Sequence, residues 1–172
     1  MDKSLFKDLY LFELDRRDKL GQGMNSLITG LTVVGGLLGY FLQKYTFGYD
    51  PVSLLVTVLL LASVASFAVA VYNTTQYFQL PKEYHAIPTS SDLRKYYQEL
   101  LTFHAGKTDV RKEADTDFED YLNERYAEAT DINSSNNYYR GDLQRKAFTL
   151  LTYSVMFVLA SLLASFLAEN LP

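Results

Sequence analysis

The stretch that decides the fold runs from Tyr126 to Phe166 and has the sequence YAEATDINSSNNYYRGDLQRKAFTLLTYSVMFVLASLLASF. It contains no proline and a single glycine, Gly141, so residues that break helices are nearly absent from it. Its first half is polar, whereas no charged residue occurs from Ala147 onward. The pattern predicts one helix that begins in water and continues into a membrane.

Charge is excluded from three segments of the chain. All 16 Lys and Arg and all 20 Asp and Glu lie outside residues 21–43, 51–81 and 147–168. Each segment exceeds the roughly 18–20 residues that cross a bilayer core of about 30 Å. A charged side chain in hydrocarbon costs several kcal/mol, which explains the exclusion. The alternative, three buried helices of a soluble bundle, is disfavoured because soluble proteins of this size seldom carry three such segments.

These segments predict an all-α integral membrane protein with three transmembrane helices and a helical cytoplasmic domain. The last span is expected to be continuous with a long cytoplasmic helix. The domain order is an amphipathic N-terminal helix over 1–20, a transmembrane hairpin over 21–80, a cytoplasmic helical domain over 81–146, and the third span with a tail over 147–172.

The distribution of basic residues predicts the orientation. Residues 1–20 carry five Lys and Arg and the stretch 82–146 carries ten, whereas the hairpin loop has only Lys44 and the C-terminal tail has none. Basic loops stay on the cytoplasmic side. We therefore expect the N-terminus in the cytoplasm and the C-terminus outside.

Residues 2–20 have an amphipathic helical pattern, with apolar side chains at helical spacing. These are Leu5, Phe6, Leu9, Phe12 and Leu20. Two alternatives remain open: a separate helix that packs on the membrane surface or the middle domain, or a helical extension of the first span. The Gly21-Gln22-Gly23 triplet permits a bend between the two parts.

Small residues recur at the spacing that lets helices approach closely in lipid. Gly35 and Gly39 form one such pair and Ala62 and Ser66 another. They are the candidate helix-packing residues, either within the hairpin or between subunits.

Local signals divide the middle domain. Ser90 or Ser91 can cap a helix that begins at Asp92 and stops at Gly106, and residues 106–114 are expected to form an exposed loop. Thr116-Asp-Phe-Glu119 matches a capping box, from which a helix is expected to run to about Ala168. A break near Ser134-Ser135 or Gly141 is the main alternative.

Three amides stand out on this helix. Asn133, Asn136 and Asn137 share one face of one turn, and a buried Asn on a helix seam fixes register and oligomeric state. They are the candidate pore-lining or subunit-contact residues; a face toward the cytosol or a ligand contact are the alternatives.

Basic residues near the third span are candidates for binding a ligand or lipid phosphate. They are Arg140, Arg145 and Lys146. The tyrosines beside Arg140 would also suit a nucleotide, since bases stack on rings.

No motif indicates catalysis. The two histidines, His85 and His104, are isolated, and cysteine is absent, so we expect no metal, no cofactor and no enzyme activity. His104 suits a helix end. The spans lack ionisable residues, which disfavours proton-coupled transport. Three helices cannot enclose an aqueous path, so a pore would require a homo-oligomer.

A charged helix, LYLFELDRRDKL, leads into a Gly-rich span, and YLNERYAEATDINSSNNYYRGDLQRKAF leads into the last span. This layout resembles small multi-span bacterial membrane effectors of anti-phage defence systems, those of cyclic-oligonucleotide signalling or accessory to CRISPR. The resemblance implies an oligomer that perforates or depolarises the inner membrane on a cytoplasmic signal. A cyclic nucleotide or a defence-system protein would be its partner, and no long nucleic acid is expected to bind.

The resemblance contains no residue-level motif, so it transfers no functional residue. The alternative function is a non-conducting membrane anchor or scaffold that recruits a soluble partner through its cytoplasmic helices.

Overall fold

The computed structural model describes residues 4–80 and 84–170. The described chain forms four helices: α1 (Leu5–Lys44), α2 (Pro51–Gln79), α3 (Ser90–Phe103) and α4 (Val110–Asn170). The prediction of an all-helical fold is confirmed. Within the described residues three of these helices, α1, α2 and α4, are long and apolar enough to cross a membrane.

Helix α1 is a single element of 40 residues that passes through Gly21 and Gly23 without interruption. The chain therefore takes the second alternative, a helical extension of the first span, rather than a separate helix followed by a bend. Residues 1–3, which the amphipathic pattern included, lie outside the described residues.

Helix α4 starts earlier than predicted. The carboxylate of Asp109 accepts a hydrogen bond from the amide of Lys112 at 3.3 Å, as an N-cap does. Thr116 lies inside the helix, where its hydroxyl donates to the carbonyl of Lys112 at 2.9 Å. The predicted capping box is thus wrong, and the expected loop over 106–114 is shorter. From Val110 the helix continues through Ser134, Ser135 and Gly141, so the predicted continuity is confirmed.

Helix α3 begins at Ser90, two residues before the predicted start at Asp92. Its N-cap is Thr89, whose hydroxyl accepts from the amide of Asp92 at 3.3 Å. Its C-cap is His104, which confirms the helix-end position and places the end before Gly106. The buried ring of His104 contacts Asp117 of α4 through Nε2 at 2.8 Å. Residues 81–83 and the last two residues of the predicted tail lie outside the described residues.

The described residues divide into two compact units, to which α1 and α4 both contribute. Unit 1 comprises residues 4–18 and 84–138, and unit 2 comprises 19–80 and 139–170. Aromatic contacts occur in unit 1, where the Tyr10 ring lies 5.5 Å from that of Tyr126 and the Tyr96 ring 4.3 Å from that of Tyr121.

Unit 2 packs its three long helices along seams in which buried residues recur mainly every three or four positions. That spacing keeps one face of each helix toward its neighbours, as in coiled coils. The buried positions are Met24, Leu27, Leu31, Val34 and Leu38 of α1, Val56, Leu60, Ser63, Ala70, Thr74 and Tyr77 of α2, and Arg140, Leu143, Gln144, Ala147, Leu151, Ser154, Val158 and Ser161 of α4.

Small residues set how closely the helices of unit 2 approach. Ala70 and Ala147 are fully buried. At Gly30 of α1, an added Cβ would lie 2.9 Å from the Cδ2 atom of Leu151 on α4, closer than ordinary van der Waals contact. Packing of this kind is the main source of helix association in lipid, where no hydrophobic driving force exists between apolar helices.

Candidate functional site

Two asparagines on adjacent turns of α4 are completely buried in unit 1. Asn133 and Asn137 each have 0% exposure. The Oδ1 atom of Asn133 accepts from the backbone amide of His85 at 3.0 Å, and its Nδ2 atom donates to the His85 carbonyl at 3.1 Å. One side chain therefore satisfies both backbone groups of a residue that lies outside any helix.

Asn137 links α1 to the segment between α2 and α3, which contains His85. Its Nδ2 atom donates to the carbonyl of Glu13 at 2.7 Å and to the Oε2 atom of Glu13 at 2.8 Å. Its Oδ1 atom accepts from the hydroxyl of Tyr84 at 2.6 Å. We call the group Glu13, Tyr84, His85, Asn133 and Asn137 the asparagine clasp.

The buried charge of the asparagine clasp has compensating neighbours. Glu13 is only 6% exposed, and a guanidinium nitrogen of Arg16 lies 3.6 Å from its Oε1 atom. The guanidinium of Arg17 lies 5.3 Å from the centre of the Tyr84 ring, in a cation–π arrangement. A buried carboxylate is tolerated when it has both a hydrogen-bond donor and an opposite charge nearby.

The amides of Asn133 and Asn137 thus bind other groups of unit 1. The assignment of these asparagines to a pore-lining or subunit-contact surface stays a prediction. Asn136 is half-buried, and its role in such a surface stays a prediction. Sequence reasoning grouped the three by spacing, but their environment depends on Tyr84 and Glu13, which are 53 and 124 positions away from Asn137.

The three candidate phosphate-binding residues differ from one another. Arg140 is buried in unit 2, where its guanidinium lies 5.6 Å from the centre of the Tyr77 ring, which is a packing position rather than an open one. Arg145 and Lys146 are exposed and both bind Asp142, at 2.8 and 2.6 Å. The hydrogen bond from Lys146 and, to a smaller extent, the one from Arg145 hold the pKa of the Asp142 carboxyl below its ordinary value. Phosphate binding by Arg145 and Lys146 stays a prediction.

The small-residue pairs are only partly used inside unit 2. Gly35 faces Phe67 of α2, because an added Cβ would lie 3.0 Å from the ring, whereas Gly39 faces open space. Ala62 and Ser66 are half-buried.

Two small polar residues, Ser63 of α2 and Ser154 of α4, are fully buried in unit 2, as Ala70 and Ala147 are. The hydroxyl of Ser63 lies 2.8 Å from the carbonyl of Ser154 and 2.9 Å from its hydroxyl. The recurrence of Val56, Leu60, Ser63 and Ala70 along α2 is the signal that would have found this contact.

A polar face of α1 points away from the packed seam of unit 2. We call it the α1 polar stripe. Its members recur every three or four residues, all are exposed, and they are Gln22, Asn25, Thr29, Thr32, Gly36, Gly39 and Gln43. This regular face was missed because the sequence analysis considered only the glycines and their spacing.

The groups on the α1 polar stripe are open to the surroundings. The side-chain amides of Gln22, Asn25 and Gln43 have no hydrogen-bond partner among the described residues. Thr29 and Thr32 donate to the carbonyls of Asn25 and Ile28 on their own helix. Added Cβ atoms at Gly36 and Gly39 would have no neighbour within 4 Å.

The outward faces of the other two long helices are predominantly apolar. Large exposed side chains occupy the central positions opposite their packed seams. They are Leu54, Val58 and Leu61 on α2, and Met156, Leu159 and Leu163 on α4. Helices α2 and α4 thus present a surface suited to lipid. The outward side of α1 carries the amides, hydroxyls and glycines of the α1 polar stripe beside exposed apolar residues such as Val33, Leu37 and Tyr40.

No family model, curated protein or solved structure matches this chain.

Proposed function

We propose that this chain is an integral membrane protein that assembles with copies of itself, so that the α1 polar stripes together line an aqueous path. The observation that carries the proposal is the stripe itself, an uncharged polar face on an apolar helix, directed away from its own bundle. A polar group that faces hydrocarbon without a partner costs several kcal/mol. Water in a shared path would satisfy the side-chain amides of the stripe.

A single copy does not provide such a path. Side chains of all three helices fill the seam of unit 2, and the Ser63–Ser154 hydrogen bond crosses its interior. Several copies would have to place α1 toward a common axis and leave the apolar faces of α2 and α4 toward lipid. This arrangement accounts for the difference between the outward faces of the three helices.

The expected setting is the bacterial inner membrane with unit 1 on the cytoplasmic side, as the basic residues predict. Ion flow through an uncharged path would depolarise that membrane. In the cell, the protein would act as an effector of anti-phage defence, and unit 1 would receive a cytoplasmic signal. It would be checked by comparing phage propagation and membrane potential in cells with and without the protein.

The natural absence of cysteine makes the path directly testable. Single cysteines at Thr32 (T32C) and at Leu61 (L61C) would be placed in the protein and reconstituted in liposomes. Leu61 is the matched control because it is exposed on the outward face of α2. We expect a membrane-impermeant thiol reagent to reduce ion efflux severalfold in T32C and to leave L61C unchanged. Equal responses of the two variants in a conducting oligomer would overturn the assignment of α1 to the lining.

The non-conducting anchor remains the second candidate, favoured by one surface of unit 1. Leu5, Leu9 and Phe12 form the apolar face predicted for the N-terminal helix, yet Phe12 is 58% exposed and the other two are also exposed. Such a face suits recruitment of a soluble protein. Absence of ion efflux from liposomes that contain the intact oligomer would favour this candidate over the path.

A further inference from the structure

A polar cavity of about 380 Å³ lies in unit 2, at the end of α1 and the start of α2. Its volume falls within the roughly 300–1,000 Å³ of typical small-molecule sites. Lys44, Asp50 and Ser53 line it, together with Ser165 from α4. The cavity thus joins residues from three helical segments, and it contains one residue of each charge.

The two charges in this cavity do not neutralise each other. Lys44 has no ion-pair partner among the described residues, and Asp50 forms none. Hydrogen bonds from Ser53 and from backbone amides keep the pKa of Asp50 below its ordinary value. Asp50 therefore contributes a negative charge to the cavity, beside the basic side chain of Lys44.

The carboxylate of Asp50 is held in a fixed position. Its Oδ1 atom accepts from the amides of Val52 at 3.1 Å and Ser53 at 3.0 Å, as the N-cap of α2. Nearby, the hydroxyl of Tyr45 donates to the carbonyl of Ser53 at 2.6 Å, which ties the loop to α2.

A second cavity of about 270 Å³ shares Lys44, Tyr45, Val56 and Ser165 with the first. Its remaining lining is mainly apolar. That lining consists of Phe41, Leu60 and Leu162 together with the hydroxyl of Ser161. A polar chamber that holds both signs of charge thus adjoins a chamber suited to hydrocarbon.

We propose that the two cavities bind one zwitterionic phospholipid with a primary-amine head group. Lys44 contacts its phosphate, Asp50 accepts from its ammonium, and one acyl chain packs against Phe41, Leu60 and Leu162. A primary ammonium has three N–H donors for a carboxylate, whereas a choline head group has none and a glycerol head group has no positive charge. This inference rests on membrane insertion of unit 2 and not on the aqueous path.

The test uses the full-length protein, delipidated in mild detergent. Its melting temperature is measured with phosphatidylethanolamine, phosphatidylcholine and phosphatidylglycerol of identical acyl chains. We expect phosphatidylethanolamine to raise the melting temperature most and to bind at least about fivefold more tightly than the other two. Equal shifts for the three lipids would overturn the proposal without any variant.

Two variants locate the site. Lys44→Gln removes the positive charge, and Asp50→Ser removes the negative charge while retaining an N-cap side chain. Lys95→Gln is the matched control, since Lys95 is an exposed lysine of α3 in unit 1. We expect the first two variants to lose the preference for phosphatidylethanolamine and the control to retain it. Retention of the preference in both Lys44→Gln and Asp50→Ser would overturn the site.

Binding in detergent is independent of ion efflux, so the two proposals fail separately. Lost head-group preference with normal T32C modification contradicts only the lipid site. Equal T32C and L61C responses with the preference intact contradict only the path.

Discussion

Replacement of Asn137 by alanine is the sharpest test of the asparagine clasp. The substitution removes three hydrogen bonds, two to Glu13 at 2.7 and 2.8 Å and one from Tyr84 at 2.6 Å. A hydrogen bond to a charged group contributes about 1.5–3 kcal/mol and a neutral one about 0.5–1.5 kcal/mol. Since Arg16 still faces the carboxylate, we expect a loss of about 3 kcal/mol in the free energy of unfolding.

The loss would be measured as a change in melting temperature of the purified protein. For a chain of this size 1 kcal/mol corresponds to about 2–4 °C, so Asn137→Ala should lower the melting temperature by about 6–12 °C. Hydrogen exchange would report the location, with faster exchange expected in the segment 84–89 that the clasp holds. Ser135→Ala is the matched control because Ser135 is exposed on the same turn of α4; its expected effect is below about 0.5 kcal/mol.

A double-mutant cycle separates the hydrogen bond from general packing. Tyr84→Phe removes the same hydroxyl that Asn137 accepts from, so the two substitutions should be non-additive by about 1 kcal/mol. A melting temperature of Asn137→Ala equal to that of Ser135→Ala would refute the reasoning. Additive effects of Asn137→Ala and Tyr84→Phe would refute the specific contact between them.

The remaining predictions concern the interior of unit 2 and the ion pairs of Asp142 in the middle of α4. Ser63→Ala and Ser154→Ala each remove the hydrogen bond between the two serine hydroxyls. Their effects on the free energy of unfolding in denaturing detergent should therefore be non-additive by about 0.6–1 kcal/mol. Additive losses would contradict the contact. Lys146→Gln should raise the pKa of Asp142 toward its ordinary value, and by more than Arg145→Gln does. Carbon NMR of the carboxyl measures this pKa, and an unchanged value would count against the ion pair. The pKa of Asp142 is lower in the folded state than in the unfolded state. Its ion pairs therefore stabilise the fold at pH values above the unfolded-state pKa of about 4, and this stabilisation is lost as the pH falls through the folded-state pKa. Lys146→Gln should therefore lose less stability on acidification.

Local signals in the sequence account for the helices but not for every helix end. The helix N-caps Asp50 and Thr89 lie within one or two residues of a helix-start signal that the sequence shows. At α4 two caps compete, since Asp109 and Thr116 both precede suitable helical sequences. The earlier cap starts the helix at Val110, and Thr116 then turns its hydroxyl to the carbonyl of Lys112. A residue that can cap a helix also tolerates an interior position, so spacing alone did not distinguish the two.

The sequence by itself determined that this protein is helical and that three of its helices are apolar enough for a membrane. Exclusion of charge from a segment is a property of that segment alone, because the cost of burying a charge in hydrocarbon does not depend on the partner. The continuity of α4 followed in the same way from the lack of helix-breaking residues between Tyr126 and Phe166.

Only the tertiary structure decided which face of each helix is used. Asn133 and Asn137 are buried because His85, Tyr84 and Glu13, distant in sequence, come to lie beside them. Gly35 packs against Phe67 while Gly39 on the same helix stays open. Amides, hydroxyls and glycines suit either a packed seam or a wet surface, and their role depends on what stands opposite. That partner is a property of the assembled helices, and no single segment of the sequence contains it.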